Sequence, residues 1–213
     1  MAIPLVPQQA RSVASQLKLL EATIACIVER GCAGTTTTAV VKRAGLSQGA
    51  LFKHFPTKAV LMAAAAEYLF AQLIAGYRVA MASLEEEGIS DVLERVDVAV
   101  ERLWELFMQP ALHASVDLYS AARTDPELAT ALRPIMQQHT ANILAEAERI
   151  LPELAGHPDF ATVVSGIIGT MLGAALTAPI KEQPEGSAAE RAFVARIARS
   201  ESQRVIDELG VTQ

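Results

Sequence analysis

Apolar residues along this chain recur every three or four positions, and no alternating β-branched run bounded by tight turns occurs, so the pattern predicts helices throughout. Leu17, Leu20, Ile24, Ile27 and Val28 mark a first helix that stops at Glu29-Arg30-Gly31, where Gly31 suits a left-handed C-cap. The run Thr35 to Thr38 offers an N-cap for a short second helix through Val40, Val41 and Ala44, ended by Gly45. Ser47 caps a third, and Pro56-Thr57 stops it and caps a long, alanine-rich fourth through Tyr68, Leu69, Phe70 and Leu73. After the loop Glu85 to Ser90, Ser90-Asp91 starts a helix carrying Val92, Val96, Val100, Leu103 and Leu106 up to Pro110. Breaks at Thr124-Asp125-Pro126, from Leu151-Pro152 to Pro158 and from Pro179 to Ser187 separate the later elements, and the last helix runs from about Ala188 to Leu209. The expectation is an all-α chain of about nine helices, without internal repeat or disordered linker.

One segment tests the reading of a soluble protein. Phe160 to Ile180 is twenty-one residues without a charge, long enough to span a bilayer. Its three glycines and three threonines, the absence of a flanking Trp/Tyr belt and its being the one segment of this kind favour a helix buried on several faces. At 213 residues and 51% hydrophobic composition, the chain can bury a substantial core. Cys26 and Cys32 match no zinc-ligand spacing and read as free thiols in a reducing cytoplasm, and the first residues show no export signal.

Charge changes the picture. The chain holds 18 Lys+Arg against 24 Asp+Glu, a net −6 that by itself argues against a nucleic-acid partner. Residues 1 to 60, however, hold seven bases and two acids, net +5, leaving eleven bases and twenty-two acids, net −11, for residues 61 to 213. Such asymmetry describes an anion-seeking head on a body that does not share the task.

The head also has the right local plan. Two short helices joined by Gly45-Leu46-Ser47 make a helix-turn-helix, whose second helix enters the DNA major groove N-terminus first. Ser47 to His54 is then the reading segment. Gln48 can pair bidentately with adenine, Ala50 can meet a thymine methyl, and Lys53 can reach guanine or phosphate. Gly49 allows close backbone approach to DNA, and His54 lies on the same face. Lys58, in the first turn of the fourth helix, favours a phosphate, and Thr36 and Thr37 serve the second helix's start in the same way.

The run GCAGTTTTAVVKRAGLSQGALFKHFPTKAVL, Gly31 to Leu61, closely resembles the DNA-binding motif of the TetR family of transcriptional regulators. Glycine after the first helix, paired threonines, Ala-Gly-hydrophobic-Ser, Gly-x-Leu-aromatic-x-His-Phe and a Thr-Lys pair follow in order without gaps. The aromatic usually found as tyrosine is Phe52, which has no hydroxyl for a phosphate. The resemblance implies a DNA-binding domain over residues 1–60, continuing into the start of the fourth helix, and an effector-binding and dimerisation domain over residues 61–213. It further implies a repressor that binds a palindromic double-stranded operator as a homodimer and is released by a largely apolar small molecule. The pocket is expected at Trp104, Phe107, Met108, His113, Tyr119 and His139, and the dimer interface at Gly166, Gly169, Gly173, Phe193 and Ile197.

Other classes find less support. His113 and Asp117 stand four apart with no third ligand, so no metal is expected, and no cofactor. No Glu-x-x-His pair, P-loop or Rossmann fingerprint points to an enzyme. The remaining alternative is an all-α ligand-binding or membrane-associated protein without DNA binding; the head's motif favours the cytoplasmic regulator, with no membrane partner.

Overall fold

The computed structural model describes residues 8–86, 88–182 and 186–210. The stretch before Gln8, Glu87 of the anticipated loop and residues 183–185 of the anticipated break after Pro179 lie outside the described residues. Among the described residues the chain forms nine helices and no strand: α1 (Gln8–Gly34), α2 (Thr37–Ala44), α3 (Gln48–His54), α4 (Lys58–Glu86), α5 (Val92–Phe107), α6 (Pro110–Ala122), α7 (Pro126–Ile150), α8 (Phe160–Thr177) and α9 (Ala188–Leu209).

The helices gather into two compact units. The first takes the chain up to Phe70 together with His113–Met136; the second takes Ala71–Leu112 and the chain from Gln137 onward. Helices α4, α6 and α7 each contribute residues to both.

In the first unit, α1, α2 and α3 pack around Leu19, Ala22, Cys26, Val40, Val41, Leu51, Phe55 and Leu61. The buried stripe of α1 is Leu19, Ala22, Thr23, Cys26 and Ile27; Leu20 and Ile24 flank it, whereas Leu17 and Val28, expected to share it, are exposed. Thr23 is tolerated inside because its hydroxyl donates to the Leu19 carbonyl at 2.7 Å. Both thiols, Cys26 and Cys32, are buried and free, and desolvation pushes Cys32 up to about 11, aided by Asp117 and opposed by Lys58.

Helix α1 is interrupted rather than simply capped at Gly31. That residue has φ 69° and ψ 170°, a region open essentially to glycine alone, and the chain makes one further turn to Gly34. The Thr35 hydroxyl donates to the Gly31 carbonyl at 2.8 Å, so the kink leads directly into the α2 cap at Thr36.

In the second unit, α5 and α8 pack on α9. One cluster unites Val96, Val100, Trp104, Met171, Val194 and Ala198; a second unites Val92, Leu93, Leu154, Phe160, Val205 and Ile206. Helix α5 starts where Asp91 accepts a 2.7 Å bond from the Glu94 amide, and Asp125 caps α7 through the Leu128 amide at 3.0 Å.

Helix α8 corrects an expectation. Only 22% of its residues are buried, so it is not a helix enclosed on several faces within one chain. Nor is it the one segment of its kind, because Lys58–Ala82 is also long and apolar enough to cross a membrane; half of that stretch is buried. That helix reads as long and alanine-rich from the sequence, but its nine alanines in this stretch and its Glu67, Gln72 and Arg78 keep it from standing out as an uncharged run.

Replacing Gly31 by alanine should destabilise the protein by about 1–3 kcal/mol, because a residue with a Cβ is strained at this φ/ψ, whereas the nearest side-chain atom, of Asp117, would meet that Cβ only at contact distance, 3.4 Å. Urea denaturation at fixed protein concentration measures the loss; an unchanged midpoint would show that the kink relaxes without cost.

Candidate functional site

Helix α3 has seven residues, and its caps are supplied locally. Ser47 Oγ accepts from the Ala50 amide at 3.1 Å, and the Phe55 amide closes the last turn on the Leu51 carbonyl at 2.8 Å. Gly45-Leu46-Ser47-Gln48-Gly49 spells the G-x-S-x-G pattern of a hydrolase nucleophile elbow, which requires a strand-to-helix turn. Here Ser47 stands between two helices and acts as a cap, so the pattern carries no catalytic meaning. Thr36 caps α2 through the Ala39 amide at 3.1 Å, and Thr57 caps α4 through the Val60 amide at 3.2 Å. The first-turn amides of three helices are therefore organised within one head.

Burying Leu51 and Phe55 turns the rest of α3 outward. Ser47, Gly49, Phe52 and Lys53 are exposed, and Gln48, Ala50 and His54 are half-buried. Phe52 leaves 46% of its surface exposed, a costly position for a large aromatic. Lys58 and Thr36 are exposed and Thr37 is half-buried. No acid among the described residues pairs with Lys42, Lys53 or Lys58, whereas Arg43 is held by Glu29 at 2.7 Å. The head's lysines without an acid partner thus lie on α2, on the α3 face and at the α4 start.

One neighbour escaped the sequence reading. Gln48 Nε2 donates to Thr38 Oγ1 at 3.1 Å, and its Oε1 is shielded without a partner, so the amide leans back on α2. A bidentate pair with adenine needs this side chain to swing outward. Nothing in a threonine run distinguishes Thr38 from the capping Thr36.

The second unit contains a cavity of about 130 Å³. Its wall comes from α4 (Leu73, Ile74, Tyr77), α5, α7 and α8, with Leu112 of α6 and Ser202 of α9. Of the anticipated pocket residues, Phe107 and His139 line it. Trp104 and Met108 instead pack in the α5–α8–α9 core, and Gly186 approaches the Trp104 indole so closely that a Cβ would stand 2.5 Å from it. His113 and Tyr119 belong to the first unit, where Tyr119 stacks on Phe70 with centroids 6.1 Å apart. Tyr77 and Ser202 were missed because a Tyr in an apolar helix and a Ser in an amphipathic one read as ordinary packing. No group of three or more metal-binding side chains assembles among the described residues.

The family model of bacterial regulatory proteins of the tetR family matches residues 19–65, a span that contains all ten candidate DNA contacts. An HTH-type transcriptional regulator of Mycobacterium tuberculosis (strain ATCC 25618 / H37Rv) is 30% identical over 84% of this chain and 89% of its own length. This chain belongs to the TetR family. It is a DNA-binding transcriptional regulator of the helix-turn-helix type. The regulator CymR of Pseudomonas putida is 32% identical over 62% of this chain and 63% of its own.

Solved structures agree on the TetR fold. The crystal structure of a transcriptional regulator from Rhodococcus sp. Rha1 superposes with a TM-score of 0.67 at 23% identity, covering 93% of this chain and 100% of that one. The multidrug binding protein EbrR, solved in complex with imidazole, superposes with a TM-score of 0.58 at 22% identity, covering 85% and 93%.

Elsewhere in the second unit, Glu146 of α7 joins α4 through Arg78 Nε at 2.5 Å and is also bonded by Arg149 at 3.1 Å. Burial alone would raise this carboxyl, but the two guanidiniums outweigh it and hold Glu146 below the usual carboxylate range. A depressed folded value means that the pairing stabilises above the unfolded value and fades as pH falls through the folded one. Glu146→Gln should cost about 1–2 kcal/mol at neutral pH, Arg78 being largely exposed, and progressively less as pH falls through and below the ordinary carboxylate range. Chemical denaturation across that range checks both limbs; a pH-independent difference would assign the loss to packing instead.

Proposed function

We propose that this TetR-family regulator is a cytoplasmic one-component repressor. Residues 1–60, with the start of α4, bind a near-palindromic operator; residues 61–213 hold the dimer interface and a small-molecule effector site. The observation that carries this reading is the head's outward face, where Lys53, Lys58 and the α3 side chains stand free of acid partners beside capped helix N-termini. Thr36, Thr37, Lys53 and Lys58 anchor phosphates, and Gln48, Gly49, Ala50 and His54 approach base edges. Phe52 packs against sugar, its missing hydroxyl replaced by backbone amides at the helix starts.

A second copy is the natural cover for α8. Its outward positions Thr162, Gly166, Gly169, Gly173 and Leu176 form a stripe of small and apolar residues on an uncharged helix, and Phe193 and Ile197 are exposed on the neighbouring α9. Small residues let two helices approach closely, and a two-fold would set the reading helices about 34 Å apart, one DNA turn. The cavity supports an effector role, and the imidazole complex of EbrR lends a precedent for small ligands in a protein of this fold.

The decisive experiment is selection of bound duplexes from a random pool by the purified protein. A palindromic consensus is expected; recovery of unrelated sequences at equal affinity would refute the reading. Lys58→Ala should weaken all duplexes similarly and lower the slope of log K against log salt by about one. An unchanged slope would remove Lys58 from the phosphate contacts. Gly169→Arg should yield a folded monomer by sedimentation and lose the palindrome's affinity; a dimer of unaltered stability would move the interface away from α8.

A further inference from the structure

Among the described residues, the cavity wall of the second unit carries no charge. Of its twenty-four lining residues none is Asp, Glu, Lys or Arg, and only Tyr77, His139 and Ser202 bring a polar side chain to it. Desolvation lowers His139, so its imidazole is neutral at neutral pH, and burial pushes Tyr77 up to about 12, so the phenol keeps its proton. Four arginines on the second unit's cavity-walling helices are committed elsewhere. Arg78 and Arg149 hold Glu146, Arg95 binds Glu153 and the Ile150 carbonyl, and Arg102 donates to the Ala80 carbonyl. An anion entering this space would lose its water and meet no positive partner, and a cation would meet no negative one.

The three polar groups suit a different ligand. Ser202 is 4% exposed, on the α9 side of the cavity, while Tyr77 comes from α4 and His139 from α7. Hydroxyl, phenol and neutral imidazole each donate or accept without ionising, and so orient a neutral hydroxyl or carbonyl. The volume of about 130 Å³ is close to that of an apolar protein cavity, about 150 Å³, known to hold benzene.

We propose, resting on the effector reading above, that the cavity takes a neutral, single-ring hydrocarbon molecule with one hydroxyl or carbonyl group, and rejects the carboxylate or ammonium of the same skeleton. Selection arises from the uncharged wall, with Tyr77, His139 and Ser202 as the only polar contacts.

Isothermal titration of the full chain with 4-ethylphenol, 4-ethylbenzoate and 4-ethylbenzylammonium at neutral pH tests the class. The phenol should bind at least about tenfold more tightly than either ion, a difference of about 1.4 kcal/mol. Equal or tighter binding of an ion, or no binding of the phenol, overturns it. Filling the cavity by Ala147→Phe, with native helicity verified by circular dichroism, should abolish binding; Leu103→Phe serves should that variant misfold. Phenol binding that survives in a folded filled variant overturns the site. Operator affinity is measured separately: phenol binding that leaves it unchanged refutes the effector reading and leaves the ligand class standing.

Discussion

Seven residues hold no helix in water by themselves, since nucleation costs more than one or two turns of hydrogen bonds return. Helix α3 exists because Leu51, with no exposed surface, and Phe55 sit in a core shared with α1 and α2. That anchorage also decides which side chains face out: with Leu51 and Phe55 inward, Ser47, Gly49, Phe52 and Lys53 have only solvent or a ligand to meet. The Gly31 kink and the Thr35 bond to it deliver α2 to the same core, so the outward face of α3 rests on a backbone conformation that a side chain would strain. The small head core therefore does what a much larger one does elsewhere: it fixes orientation with few residues.

Charge is sorted by a related logic. Much of the acid in the second unit is neutralised within it: Arg204 joins Asp159, Glu201 and Glu208, Arg199 joins Asp97, and Arg191 joins Glu101. These pairs lie largely on the surface and contribute little stability each. Their effect is to keep the surplus of negative charge on one unit locally compensated, while the lysines of the head remain available. A chain of net −6 can thus present a face that attracts phosphate.

Much of this was legible in the sequence, and the failures have physical reasons. Caps and breaks at Thr36, Gly45, Ser47, Asp125 and Pro126 could be read because a cap uses a specific side chain at a specific position. Leu17 and Val28 were misplaced because periodicity finds a helix but not which of two neighbouring apolar residues meets the core. His113 and Tyr119 were grouped with Phe107 and His139 because aromatic and imidazole groups suit a pocket and a core equally; tertiary packing alone separates them. Tyr77 and Ser202 lacked any local signal, since a cavity is a property of six helices and not of one.

Helix α8 explains its own composition once both of its faces are considered. Phe160, Val163, Val164, Ile167 and Ile168 line the cavity on one side, while Gly166, Gly169 and Gly173 face outward on the other. A helix that serves an apolar cavity and a proposed contact with its own copy has no watery face left for charge, hence the uncharged run. The arrangement has a mechanical consequence for the proposed regulation. Glycines carry no side chain to repack, so a shift of α8 caused by a ligand against Ile167 would reach the facing helix as backbone displacement rather than be absorbed by rotamers. A ligand that fits the cavity equally well before and after such a shift would change nothing, however tightly it bound. The proposed effector action thus requires that the cavity's shape, and not only its lack of charge, change when α8 shifts.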